Sequence, residues 1–267
     1  MMRRSFSSAL CAILLMVASP CFAGIDCDGT DDFFKTDASD NTSLGAWNDP
    51  ISLFVVAKLD TAVSGDAILA RWGDSDASST ADFWLLEMSG SPIKIRLAKI
   101  RNADQDGYIL VSTATVSSGE TIRLATASDA EANMKINLNG SENSGRTFLF
   151  GAAEAGTDME MTFCGRSSAG GSSNYADITV YEVALWNIEL TSAELDLLTE
   201  SRVKGLARQI QPANLKAYWQ ANEVPDGTSA DAVVLQDFSN NGTTITGSDG
   251  ANNTGLTAAA EAVLTYQ

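Results

Sequence analysis

The chemistry-bearing side chains of this 267-residue chain are carboxylates, amides and tryptophans, because it contains no histidine. Without imidazole there is no Ser-His-Asp or Cys-His nucleophile system, no histidine zinc site and no histidine switch near neutral pH. Catalysis would have to rest on carboxylates, Lys, Tyr or a cofactor. Acids crowd one early stretch at Asp28, Asp31 and Asp32, and Asn174 and Asp177 form a later group. Carboxylate and amide oxygens on loops are hard ligands, so Asp28, Asp31, Asp32 and Asp177 suit Ca2+, with Asp74-Ser75-Asp76 as a weaker alternative. The competing reading makes Asp28-Gly29 and Asp31-Asp32 turn residues. Asp158 and Glu160 stand two positions apart, which places both on one face of a strand, as paired acid–base carboxylates require.

Sugar rings are held by exposed aromatic faces beside Asn, Asp or Arg hydrogen-bonders. Trp47, in a loop-like stretch with Gly45, Asn48 and Pro50, is the first such platform; Trp72, beside Gly73-Asp74, is the second. Arg166, Asn174 and Tyr175 would line a rim. Trp84, Trp186 and Trp219 sit in strand-like runs and read as core. The stretch Gly170-Gly171-Ser172-Ser173 has no following Lys and no strand-to-helix context, so it reads as a loop and not as a phosphate cradle.

Charge narrows the partners. With 34 Asp plus Glu against 17 Lys plus Arg, the formal net charge is −17, and a nucleic-acid backbone or an anionic membrane surface would repel the chain. Residues 1–23 have the form of a secretory signal, with Arg3 and Arg4, an apolar run from Ala9 to Ala18, and a small-residue cleavage site ending at Ala23. The apolar run is too short for a spanning helix, which needs roughly 20 residues. Cleavage would remove two arginines and no acid, leaving 34 acidic against 15 basic residues, or −19. It would also remove Cys11 and Cys21. Of four cysteines, Cys27 and Cys164 then remain, and in an oxidising compartment they most simply form one disulfide.

The elements that must position these residues are strands. Period-two alternation marks 52–59, 67–72, 82–88, 93–100, 108–112, 121–125, 133–138 and 158–163. In the last of these Met159, Met161 and Phe163 point one way, so Asp158 and Glu160 are expected on a solvent-facing row. Asn139-Gly140 is a type I′ hairpin signal. One helix is expected to begin at Thr191, where Thr191 and Glu194 form a capping box and Leu190 staples onto Leu195; it should stop at or before Gly205. The fold class is therefore all-β, a two-sheet antiparallel jelly-roll sandwich with one short helix in its C-terminal half. Residues 24–210 form the main domain; 211–267 begin with a strand-like Leu215 to Trp219 and continue as a Gly/Asn/Thr/Ala-rich appendage, packed on the domain or trailing from it.

Four ordered stretches resemble the laminin-G-like domain of the concanavalin A-like lectin/glucanase superfamily. Cys27-Asp28-Gly29-Thr30-Asp31-Asp32-Phe33-Phe34 is similar to its opening F-D-G-T-D-D-Y-V strand, and Lys135-Ile136-Asn137-Leu138-Asn139-Gly140 to its hairpin. Cys164-Gly165-Arg166-Ser167, with Ala176 to Asn187, resembles its "iGrs…G-x-I-D-e-v-r-i-W-n" block, and Leu190-Thr191-Ser192-Ala193-Glu194-Leu195 its helix start. A tail pattern, Ala217-Tyr218-Trp219 followed by Asp237-Phe238-Ser239-Asn240-Asn241-Gly242, accompanies such domains. The family's "g-x-W-h-h-v-a" strand corresponds to residues 118–125, which lack both Trp and His, so roles tied to those residues do not carry over.

The resemblance implies a jelly roll that hosts binding modules, adhesive domains and glycosidases alike. Its catalytic branch carries E-x-D-x-E on one strand, and the nearest match here, Gly156-Thr157-Asp158-Met159-Glu160, has Gly at the first acidic position. The expectation is accordingly a secreted, non-catalytic module that binds glycan or a surface protein, with Ca2+ as its one possible cofactor and no organic one. A structural or filament protein that self-assembles through its sheets is the alternative, and a β-glucanase acting through Asp158 and Glu160 the less favoured one. Neither nucleic acid nor, after signal removal, membrane is an expected partner. Asn-x-Ser/Thr sequons stand at Asn41, Asn139, Asn241 and Asn252, all in expected turns or loops.

Overall fold

The computed structural model describes residues 22–30, 32–36, 49–60, 67–74, 82–90, 92–101, 106–129, 133–145, 147–148, 159–165, 175–221, 234–239, 241–243, 245–249 and 257–262. The strands are β1 (Phe22–Asp28), β2 (Asp32–Thr36), β3 (Ile51–Leu59), β4 (Ala67–Asp74), β5 (Asp82–Ser89), β6 (Ile93–Arg101), β7 (Asp106–Val116), β8 (Thr121–Ser128), β9 (Met134–Leu138), β10 (Ser141–Gly145), β11 (Thr147–Phe148), β12 (Met159–Phe163), β13 (Asp177–Trp186), β14 (Leu215–Trp219), β15 (Val234–Leu235), β16 (Ile245–Asp249) and β17 (Thr257–Ala262). They form two antiparallel sheets. One runs β10-β9-β8-β3-β13-β1-β17, with β14 also on β13; the other runs β11-β7-β6-β5-β4-β12-β2-β16-β15. The expected two-sheet sandwich is the observed fold. Between the sheets lies one apolar core, to which Ile25, Val55, Leu124, Ile136, Ile178, Val180, Val183 and Leu185 contribute from the first sheet and Phe34, Leu69, Trp72, Ile95, Leu97, Met161 and Phe163 from the second.

The hairpin at Asn139-Gly140 joins β9 to β10 with both residues at positive φ, 51° and 83°, as a type I′ turn requires. Helix α1 (Ser192–Glu200) carries the full capping box, Thr191 N–H donating to Glu194 Oε2 at 2.8 Å and Glu194 N–H to Thr191 Oγ1 at 3.3 Å. It covers the outer face of the first sheet, where Leu190, Leu195, Leu198, Ala207 and Ile210 pack on Phe54, Val56, Ala125, Ala184 and Trp186 in a second apolar cluster.

Residues after 211 supply strands to both sheets: β14 pairs with β13, β16 with β2 and β17 with β1. The tail motif ties this part down. Asp237 Oδ1 accepts from the N–H groups of Tyr218 and Ser239 at 2.9 and 2.8 Å, and its Oδ2 accepts from Ser239 Oγ and Thr243 N–H at 2.7 and 3.0 Å. Asn241 Nδ2 donates to the carbonyl of Leu215 at 2.6 Å. This segment is thus held by backbone pairing, by one carboxylate that satisfies four donors, and by Trp219, Leu235 and Ile245 in the common core.

Cys27, on β1, is bonded to Cys164, just past β12, across 137 residues of sequence, which links the two sheets. β1 begins at Phe22, paired with Ala262, so the last two residues of the expected signal segment lie in the strand. Among the described residues no helix is long and apolar enough to cross a membrane.

Candidate cation site on the outer face of the first sheet

Strand alternation sends Ile25 and Cys27 of β1 into the core and Asp26 to the outer face. Register sets Asp26 opposite Thr179 on β13, and Thr179 opposite Lys58 on β3, giving a row of polar side chains across three strands. Asp60 follows the end of β3, anchored by its N–H to the carbonyl of Asp177 at 3.1 Å. Asp26, Asp60 and Asp177 converge there, each half-buried, with one carboxylate oxygen apiece within 4.8 Å of the others. Two oxygens that each bind one Ca2+ at about 2.4 Å lie at most about 4.8 Å apart, so the spacing and the hard donor set suit a single cation.

Thr179 Oγ1 is the hub, in hydrogen-bond contact with Asp26 Oδ1 at 3.2 Å and Asp60 Oδ2 at 2.7 Å. Lys58 Nζ donates to Asp60 Oδ1. Burial, reinforced by the charges of Asp60 and Asp177, pushes the Asp26 carboxyl from 3.8 up to about 6, against the Thr179 hydrogen bond and the Lys58 charge, which pull it down. Burial, with the charges of Asp60 and Asp26, raises the neighbouring Tyr181 hydroxyl to about 12. The site is therefore electrostatically frustrated, with more negative charge than its one lysine offsets.

Gly29 shapes its rim. At φ 75° it turns the chain beneath β13, and a Cβ there would stand 2.9 Å from Asp177 Cβ.

Of the expected ligands Asp28, Asp32 and Asp177, which are all described, Asp177 alone belongs to this cluster. Asp28 and Asp32 are turn residues: Asp28 Oδ1 accepts from Thr30 N–H at 2.7 Å, and the fully buried Asp32 accepts from Asp28 N–H at 2.8 Å. Asp31 lies outside the described residues. The partners of Asp177 are Asp26 and Asp60, which no local motif marks. Their one sequence signal is position: Asp26 is an outward residue of a strand flanked by core residues, and Asp60 closes a run of apolar alternation.

The expected sugar platform at Trp72 is corrected. Its ring is 1% exposed, packed in the core beside Met161, because β4 is a central strand of the second sheet and Trp72 takes an inward position. Trp186 and Trp219 are core, as expected; nothing is described of the Trp84 side chain. Trp47, Arg166 and Asn174 fall outside the described residues. Tyr175 is half-buried and its ring packs against Gly165, where a Cβ would come within 2.3 Å.

Glu160 is corrected too. It faces away from the core as alternation requires, yet it is 6% exposed, on an outer face that also buries Arg71 and Thr162. Asp158 lies outside the described residues, as do the sequons at Asn41 and Asn252. Asn139 is the hairpin residue, with its Oδ1 accepting from Arg123 N–H at 2.7 Å, and Asn241 holds the tail loop.

The sequence profile of the concanavalin A-like lectin/glucanase superfamily matches residues 28–196. The chain belongs to that superfamily. Asp60 and Asp177 fall within the matched residues, and Asp26 lies two positions before them. No curated protein matches the chain. Among solved structures, this superfamily member is similar to a candidate carbohydrate-binding protein from Bacteroides ovatus, with a TM-score of 0.56 at 11% identity; the likeness takes in 90% of this chain and 61% of that one. It is also similar to a SAP-like pentraxin from Limulus polyphemus, TM-score 0.48, 11% identity, 66% of this chain and 81% of that one. A third is the CBM40 of the Ruminococcus gnavus IT-sialidase bound to α2,3-sialyllactose, TM-score 0.46, 18% identity, 57% of this chain and 83% of that one.

Proposed function

We propose that this chain is a secreted, non-catalytic carbohydrate-binding module of the concanavalin A-like superfamily, and that Asp26, Asp60 and Asp177 hold a structural Ca2+. Superfamily membership supports glycan as the partner class. The observation that carries the cation is the convergence of three carboxylates, from β1, the residue after β3 and the start of β13, with Lys58 paired to one of them. Bound Ca2+ would supply positive charge that relieves the repulsion among these acids and would pin β1 to the β3 and β13 ends.

Two features favour binding over hydrolysis. The strand position that carries the first acid in the family's catalytic pattern is Gly156, and the remaining described acid, Glu160, is buried. The apolar N-terminal run and the disulfide favour an oxidising, extracellular setting.

A glycan array probed in Ca2+ and in EDTA tests the reading. Binding to a defined glycan class is the expected result; no binding to any sugar in either condition removes the lectin assignment. Hydrolysis of a laminarin-type polymer that disappears in Glu160→Gln would replace it with a glycosidase.

A further inference from the structure

A further acidic residue on the outer face of the first sheet, Glu182, stands apart from Asp26, Asp60 and Asp177. The register of β13 against β3 shifts between Val180 and Glu182. This bulge turns two consecutive side chains, Tyr181 and Glu182, outward, while Val180 and Val183 both stay in the core. Glu182 consequently enters the apolar layer beneath α1, among Val56, Ala184 and Tyr218, and is 3% exposed. Its Oε1 accepts from Tyr218 OH at 2.8 Å and from Gly205 N–H at 3.3 Å. Tyr218 Oη in turn accepts from Gln220 Nε2 at 2.8 Å.

The ionisable groups that face this carboxyl are Arg123 from β8, Lys204 from the connection after α1, and Tyr218 from β14; Arg208 acts on Tyr218. Arg123 is committed elsewhere. Its Nε and Nη2 donate to the carbonyl of Leu198 in the last turn of α1 at 3.0 and 2.9 Å, and its guanidinium lies 5.1 Å from the Phe54 ring centre. The Arg123 charge nonetheless pulls the Glu182 carboxyl down.

Residues 201–210, between α1 and β14, lie on the sheet through Leu206, Ala207 and Ile210, which pack in the same apolar cluster as the α1 leucines. Gly205, at φ 79°, reaches Glu182; Ala207 and Ile210 are buried; the Trp186 indole N–H donates to the Ile210 carbonyl at 2.8 Å. Arg202, Val203, Arg208 and Gln209 are exposed. Helix α1 is fastened in addition by Asn137 Nδ2 donating to Asp196 at 2.6 Å and by Thr199 Oγ1 donating to Asn137 Oδ1 at 2.8 Å.

We propose that Glu182 makes the 201–210 connection a proton-responsive flap, docked on the outer face of the first sheet in acid and released as the pH rises. The docked state encloses the carboxyl, and the released state lets water reach it, so the two states differ in proton affinity. Burial pushes the Glu182 carboxyl above its ordinary 4.5, more strongly than Tyr218, Arg123, Gly205 and Lys204 pull it down. The docked form therefore binds more protons, and by linkage the population of the released form grows by up to about tenfold per pH unit, starting above the ordinary value and levelling off once docked Glu182 has ionised. The flap does not depend on the cation reading, since Glu182 shares no contact with Asp26, Asp60 or Asp177.

Hydrogen exchange of the full chain, followed by mass spectrometry across weakly acidic to weakly alkaline pH and corrected for the chemical exchange rate, reads the opening of amides 203–210 directly. In the wild type the opening constant rises with pH, by up to about tenfold per unit, and then levels off, while amides of α1 and β13 do not change. In Glu182→Gln the slope disappears. Tyr218→Phe, which removes a donor to the ionised carboxyl, opens further than the wild type and levels off at higher pH. A wild-type opening constant that is flat in pH, an equal slope in Glu182→Gln, or Tyr218→Phe indistinguishable from wild type each overturns the proposal.

Discussion

Replacing Asp26 by Asn should make the cation-free protein more stable and the Ca2+-loaded protein relatively less so. The substitution keeps the side-chain volume and an oxygen that can stay in contact with Thr179 Oγ1, so the change is one of charge. Two unit charges 4.8 Å apart repel by about 0.9 kcal/mol in the dielectric of water and about 3.5 kcal/mol at an effective value of 20. Asp26 faces two such charges, and Lys58 offsets part of them. Its rise from 3.8 to about 6, taken at face value, corresponds to about 3 kcal/mol; for a half-exposed carboxyl, solvent screening reduces this to about 1 kcal/mol. The raised value means that the folded chain binds the proton more tightly than the unfolded one. The stabilisation is complete below 3.8 and is lost as the pH climbs through about 6.

Near neutral pH in EDTA, Asp26→Asn should therefore exceed the wild type by about 1 kcal/mol, with the gap closing in acid. A cation present at a hundredfold over its dissociation constant adds about 2.7 kcal/mol to the wild type; the variant forfeits most of that, so the order inverts. Urea unfolding followed by tryptophan fluorescence, in EDTA and in millimolar Ca2+, measures both. If the variant is the less stable protein in EDTA, the frustration argument fails; if it gains as much from Ca2+ as the wild type, the ligand assignment fails.

Cys164→Ser opens the link between the sheets, and the loop-entropy relation for a separation of 137 residues gives a loss of about 5 kcal/mol in denaturant unfolding under oxidising conditions, a loss absent when both proteins are reduced. Asp237→Ala strands the four donors that its carboxylate satisfies, for an expected cost of about 3 kcal/mol, with hydrogen-exchange protection lost first in β14 and β16. Gly29→Ala forces a side chain into the left-handed region against Asp177; it should cost about 1–2 kcal/mol and weaken Ca2+ stabilisation, whereas alanine at the open position Gly119 should leave Ca2+ stabilisation unchanged.

The strands were legible because alternation is a local property. Met134, Ile136 and Leu138, or Met161 and Phe163, declare their inward face without reference to any neighbour. The helix start at Thr191 was equally plain, since its capping box closes within four residues. The two-residue hairpin at Asn139 needed only two tolerances for positive φ. Trp72 and Glu160 were misplaced for a shared reason. Alternation says which side of a sheet a residue takes, but not whether its strand is central or whether the far side is covered, and β4 and β12 are both interior strands. The weak tail strands β15, β16 and β17 had no pattern of their own, since their place comes from the edges on which they pair.

By itself the sequence determined a histidine-free, strongly acidic chain with a two-sheet sandwich, a capped helix and a cysteine pair, because composition, period two and short capping motifs are written in adjacent residues. Tertiary structure decided which acids meet. Asp26 on β1, Asp60 just past β3 and Asp177 at the start of β13 are up to 151 residues apart in sequence, and only the register of β1 and β3 against β13 sets their oxygens within 4.8 Å. The same holds for Glu182, whose burial follows from one extra residue in β13, a displacement that alternation alone does not register.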